Sequence, residues 1–97
     1  MTDSEQSRIH AIVEGRVQGV GFRAFVIDKA DYLGLTGWVR NRWDGTVEFV
    51  AEGERAALER LLSAVRKGPP ASFVSGVKTD WGTASGEFTR FNARSTV

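Results

Sequence analysis

Gly15-Arg16-Val17-Gln18-Gly19-Val20-Gly21-Phe22-Arg23 carries a short apolar strand through a cluster of glycines and into an amphipathic helix. A strand that delivers its chain straight to a helix N-terminus gathers backbone N–H groups at one point, and such a point binds anions, phosphate foremost. Gly15, Gly19 and Gly21 permit positive φ where a side chain would clash, so the loop amides can converge into a concave nest. Arg23 stands in the first helical turn, where the helix dipole disfavours a cation by roughly 0.3–1 kcal/mol. A bound anion reverses that penalty, and a guanidinium fork offers it two parallel hydrogen bonds. The spacing fits neither the G-x-G-x-x-G dinucleotide turn nor the Walker A loop with its Lys and Ser/Thr. Taken alone, the glycines also fit a βα turn without a ligand, and Arg23 an ordinary surface arginine.

Upstream, Ile9 to Val17 sets Ile9, Ala11, Val13 and Val17 against His10, Glu14 and Arg16, the period of a half-buried strand that only Ile12 interrupts. Downstream, Phe22, Phe25, Val26, Ala30 and Leu33 recur at helical spacing, and Gly34 supplies the stop. Leu35–Asn41 and Thr46–Ala51 read as strands joined through Arg42-Trp43-Asp44-Gly45, whose Asp-Gly pair signals a hairpin. Glu54–Lys67 reads as a second helix with Leu58, Leu61, Leu62 and Val65 as its stripe and Gly68-Pro69-Pro70 as its end. Ser72–Trp81 gives a further strand with Phe73, Val77 and Trp81, then a turn over Gly82–Gly86, then a short strand within Gly86–Ala93 around Phe88 and Phe91. This order predicts an α+β, ferredoxin-like split βαβ sandwich: an antiparallel sheet of four to five strands with two helices on one face.

A chain of 97 residues supports one core, expected over residues 9–97, with residues 1–8 as a flexible polar tail. Thirteen basic and twelve acidic residues are interspersed, so the net charge of +1 gives no footprint for nucleic-acid or anionic-membrane binding, and any anion site must be local. The absence of cysteine removes thiol nucleophiles, disulfides and thiolate metal sites, and fits the cytoplasm. No apolar run approaches the roughly 20 residues needed to span a bilayer. No apolar stripe is left over once helices and sheet are paired, which predicts a monomer.

Asn41 closes the second strand just before the hairpin. It fits a strand-end cap, and equally a neutral group that orients a water through its amide. His10, the one histidine, sits in the first strand away from both motifs, and Asp28, Asp31 and Asp44 are scattered without metal-ligand spacing. Neither a histidine-based nucleophile system nor a metal centre is expected, and Asp44 belongs to the hairpin turn.

Val17-Gln18-Gly19-Val20-Gly21-Phe22-Arg23 resembles the phosphate-loop signature of the acylphosphatases, and Gly37-Trp38-Val39-Arg40-Asn41 through Asp44-Gly45-Thr46-Val47 to Gly53 resembles their second signature. The resemblance covers Ile9 to about Phe91 and fades over residues 92–97. It implies an acylphosphate phosphohydrolase that cleaves an acyl phosphate to a carboxylate and inorganic phosphate without metal or organic cofactor. On that resemblance Arg23 and the loop amides of Gln18, Gly19, Val20, Gly21 and Phe22 bind the phosphoryl group, and Asn41 holds the attacking water. The physiological acyl group is not specified, since Phe22, Trp38 and Trp43 fit either a core or an acyl pocket. Two other functions suit the fold: a phosphate- or RNA-binding module without catalysis, and a carbamoyl-phosphate-handling domain of a larger transferase. The RNA reading lacks the aromatic and basic octet that base stacking requires.

Overall fold

A computed structural model describes residues 6–97. Seven elements follow in the order β1 (Gln6–Arg16), α1 (Phe22–Tyr32), β2 (Thr36–Asn41), β3 (Val47–Glu54), α2 (Arg55–Lys67), β4 (Phe73–Thr83) and β5 (Phe91–Ala93). The sheet runs β4-β1-β3-β2-β5. β1 pairs antiparallel with both β3 and β4, and β3 pairs antiparallel with β2. These four strands and two helices are the expected split βαβ sandwich.

The fifth strand departs from expectation. It occupies only Phe91–Ala93, and it lies parallel to β2 with Gly37 opposite Phe91, which makes the whole sheet mixed. Parallel pairing between distant segments leaves no turn signature in the sequence. β1 also begins at Gln6, so residues 6–8 of the expected tail are paired with Glu54, Gly53 and Glu52; residues 1–5 lie outside the described residues. β4 continues to Thr83, taking in the start of the expected turn.

Alternation along the strands decides which face is covered. Ile9, Ala11 and Val13 of β1, Val39 of β2, and Val47, Phe49 and Ala51 of β3 are fully buried under the helices. Val26 and Ala30 of α1 and Leu58, Leu61 and Val65 of α2 close over them with no exposed surface. Each large side chain so buried contributes roughly 1.5–3 kcal/mol, and truncating Phe49 to alanine at the centre would cost about 3–5 kcal/mol. α1 ends in a Schellman motif at Gly34 (φ 72°), where Leu35 N donates to Ala30 O and Gly34 N to Asp31 O.

The opposite face carries charge instead of a second layer. Glu48 accepts from His10 Nε2 at 2.6 Å and from Arg40 Nε at 2.8 Å. Glu52 accepts from Arg8 Nη1 and from the backbone amides of Ser85 and Gly86. The guanidinium groups of Arg40 and Arg94 lie over the Trp38 ring, 4.6 and 4.9 Å from its centre. Burial raises the proton affinity of both carboxyls, but their hydrogen bonds outweigh it and hold each below its ordinary value.

Candidate active site

The ladder itself brings the two sequence motifs together. Val47 of β3 is the partner of Val13 on one side and of Asn41 on the other, so β1 and β2 run in the same direction with β3 between them. Both therefore deliver their C-terminal ends to one edge of the sheet. There β1 passes into the 17–21 loop and β2 ends at Asn41.

The loop turns through Gly19 (φ 72°) and Gly21 (φ 77°), both left-handed, and Gly21 is the N-cap of α1. No side chain caps this helix and no acidic residue occupies its first turn. Its leading amides have no intrahelical acceptor. Gly15 has a different task from the one the glycine cluster suggests. It sits where the β1–β4 register shifts, and a Cβ there would lie 2.1 Å from Phe73 O. It lets two strands approach rather than shaping the anion nest.

A cleft of about 400 Å³ opens at this edge, with Gly19, Gly21, Phe22 and Arg23 on one side and Asn41 on the other. Arg23 and Asn41, 18 positions apart in sequence, thus face one space. Arg23 forms no ion pair among the described residues, a state it shares with Arg16, Arg60, Arg66, Arg90 and Arg94, and what sets it apart is its place in the first turn of α1 on the cleft. A guanidinium without an ion pair beside helix-terminal amides leaves several donors open toward the cleft.

Gln18 and Val20 stand outside the cleft lining. Val20 packs against the core. Gln18 turns its side chain to the β2–β3 hairpin, where Nε2 donates to Arg42 O at 2.7 Å and Thr46 O at 2.9 Å. The hairpin is a turn closed by Gly45 N to Arg42 O and Arg42 N to Thr46 O. Asp44 accepts from the hydroxyl and amide of Thr46, bonds that hold its carboxyl below the ordinary range. Asp44 is therefore a turn residue.

Sequence reasoning missed the apolar wall of the cleft, formed by Val17, Ala24, Ile27 and Ala93. Ile27 lies one helical turn beyond Arg23 on the same face of α1, a spacing that could have revealed it. Ala93 arrives through the parallel β5 and had no local signal. Phe22 lines the cleft while remaining 2% exposed. Trp38 lies on the far sheet face, and Trp43, 83% exposed, does not line the cleft. His10 is likewise on the far face, bound to Glu48.

A ferredoxin-like sandwich with a glycine loop, a helix N-terminus, an unpaired arginine and an asparagine around one cleft defines a small phosphoryl-binding domain. Residues 9–93 match the Acylphosphatase family model. A protein named Acylphosphatase from Pelotomaculum thermopropionicum is 50% identical over 86 residues, 89% of this chain and 94% of the relative. The crystal structure of acylphosphatase from Bacillus subtilis superposes with a TM-score of 0.88 at 43% identity, covering 91% of this chain and 98% of that one. HypF from T. kodakarensis also contains the fold: TM-score 0.81, 30% identity, 94% of this chain but 12% of that one. The chain belongs to the acylphosphatase family, and the reaction this family membership assigns to it is hydrolysis of acyl phosphates.

Proposed function

We propose that Arg23 and the amides of residues 18–22 hold the phosphoryl group and that Asn41 orients the attacking water. The observation that carries this reading is the convergence of Arg23, Gly19, Gly21 and Asn41 on one cleft. The water oxygen forms a bond to phosphorus as the bond from phosphorus to the acyl oxygen breaks, and the carboxylate departs with that electron pair. The water proton passes to a phosphoryl oxygen of the substrate, because neither Arg23 nor the amide of Asn41 can act as a base near neutral pH. Fixed donors around the developing charge supply the acceleration, a sufficient means where the leaving group is already a stable carboxylate.

Metal is not required by this chemistry, and among the described residues no three His, Asp or Glu are grouped as a metal ion would need. The apolar wall of Val17, Ala24, Ile27 and Ala93 receives the acyl group. Nucleic acid is not a partner on this reading, since thirteen basic and twelve acidic residues are interspersed and leave a net charge of only +1. Among the described residues no helix is long and apolar enough to cross a membrane. We place the enzyme in the cytoplasm as a monomer. Benzoyl phosphate hydrolysed in ¹⁸O-water with a chelator present tests the scheme. Full activity with the label in inorganic phosphate is expected. Label in benzoate, or activity abolished by the chelator, would contradict it.

A further inference from the structure

The helix layer contains a second groove, about 420 Å³, that shares no lining residue with the active-site cleft. On α2 it is bounded by Arg60, Ser63, Ala64 and Lys67, the one-face stripe of i, i+3, i+4 and i+7. Ser63 and Ala64 are small, which keeps the groove open. Phe25 and Lys29, one turn apart on α1, form the facing wall, with the Lys29 ammonium 5.6 Å from the Phe25 ring centre.

Its charge is one-sided. Lys29, Arg60 and Lys67 line it with no carboxylate, although the chain as a whole carries only one net positive charge. None of the three joins any ion pair among the described residues, while Arg55, one turn before Glu59 on the same helix, is paired at 3.2 Å. Asp28 and Asp31 belong to α1 but do not line the groove. Cations on both walls of a groove give it a local positive potential that favours an anion between them.

We infer that this groove is a second anion site, separate from the active cleft, and that it takes a small polyanion of the polyphosphate class. Length separates a polyanion from a single phosphate. Arg60 and Lys67 are seven residues apart, roughly 10 Å along the helix axis at 1.5 Å per residue, so an extended chain of charges engages both, with Lys29 closing from the other wall. The floor of the groove also touches the active site's own framework. The Phe25 ring lies 6.0 Å from that of Phe22, and a Cβ on Gly68 would come within 3.1 Å of the Phe22 ring. Phe22 therefore separates the two sites.

The test is an amide NMR titration of the whole chain with inorganic tripolyphosphate, at about 0.15 M salt and with the active cleft saturated by inorganic phosphate. Saturable shifts at Lys29 and over Arg60–Gly68 are expected. The double variant Arg60→Gln/Lys67→Gln, whose side chains are exposed, should keep normal benzoyl phosphate turnover but bind tripolyphosphate about tenfold or more weakly. Shifts confined to Gly19–Arg23 and Asn41, or an affinity within about twofold in the double variant, would overturn the inference.

Discussion

Gln18 donates through Nε2 to Thr46 O at 2.9 Å, with Arg42 O at 2.7 Å on the same nitrogen, and so fastens the loop after β1 to the hairpin after β2. Among the described residues no other side-chain hydrogen bond joins this loop to the hairpin. Both carbonyls keep a backbone donor when Gln18 is removed, so Gln18→Ala should destabilise by only about 1–2 kcal/mol. Catalysis should suffer more, because a displacement of about 1 Å between loop and Asn41 can cost about a hundredfold. Urea unfolding beside steady-state turnover at matched folded concentration checks this. An unchanged kcat in the folded variant would remove Gln18 from the positioning of the site.

The glycines of the first motif should separate by role. At Gly15 (φ 126°) a methyl group meets backbone at 2.1 Å, so Gly15→Ala should cost more than about 3 kcal/mol. At Gly19 (φ 72°) nothing lies within 4 Å, and alanine pays only the left-handed conformation, about 1–2 kcal/mol. Gly19→Ala should fold and bind phosphate more weakly. Thermal unfolding and phosphate inhibition distinguish the two, and equal destabilisation would show that the loop and the bulge are not separate devices.

Stability should fall on acidification through Glu48 and Glu52. Burial raises their proton affinity, but hydrogen bonds from His10 and Arg40 to one, and from Ser85, Gly86 and Arg8 to the other, leave both below 4.5. A carboxyl depressed in the folded state binds protons better when unfolded. Its contribution is therefore present above pH 4.5 and is lost as pH falls through the folded value. Melting temperatures between pH 7 and pH 3 should drop at the acid end, and less steeply in Glu52→Gln. An equal slope in the variant would remove Glu52 from the acid response.

The rate should be nearly flat between about pH 5 and 7.5, since the proton acceptor in this scheme is the substrate's own phosphoryl oxygen and no side chain lining the cleft serves as a general base. His10 is on the far face of the sheet, bound to Glu48. A pH profile of kcat for benzoyl phosphate checks this. A limb near pH 6.5, the ordinary range of histidine, would show a protein base that the substrate-assisted scheme lacks.

Much of this architecture is legible in the chain because its signals are local. The Ile9–Val13 alternation, the Leu58–Val65 stripe and the Asp44-Gly45 turn each report their own element. Arg23 and Asn41 are legible as candidates because each sits at an element terminus with an unusual residue type. Gln18 is different: its amides belong to the loop motif, but the hairpin it grips lies 24 residues away and nothing local marks it. The same holds for Ala93, brought to the cleft by parallel pairing, and for the Gly15 bulge, whose partner is Phe73. The three glycines look alike in sequence, and only tertiary contact separates them.

The most direct test of the catalytic assignment is the steady-state comparison of Arg23→Gln and Asn41→Ala with wild type on benzoyl phosphate, with folding confirmed for each. Loss of one preorganised donor removes roughly 3–4 kcal/mol of transition-state stabilisation, so each variant should lose about two to three orders of magnitude in kcat. Arg23→Gln should also raise KM and weaken phosphate inhibition, while Asn41→Ala should leave KM within about threefold, the pattern of a group that acts on water rather than on substrate. Two folded variants that both keep turnover within about tenfold of wild type would contradict the account.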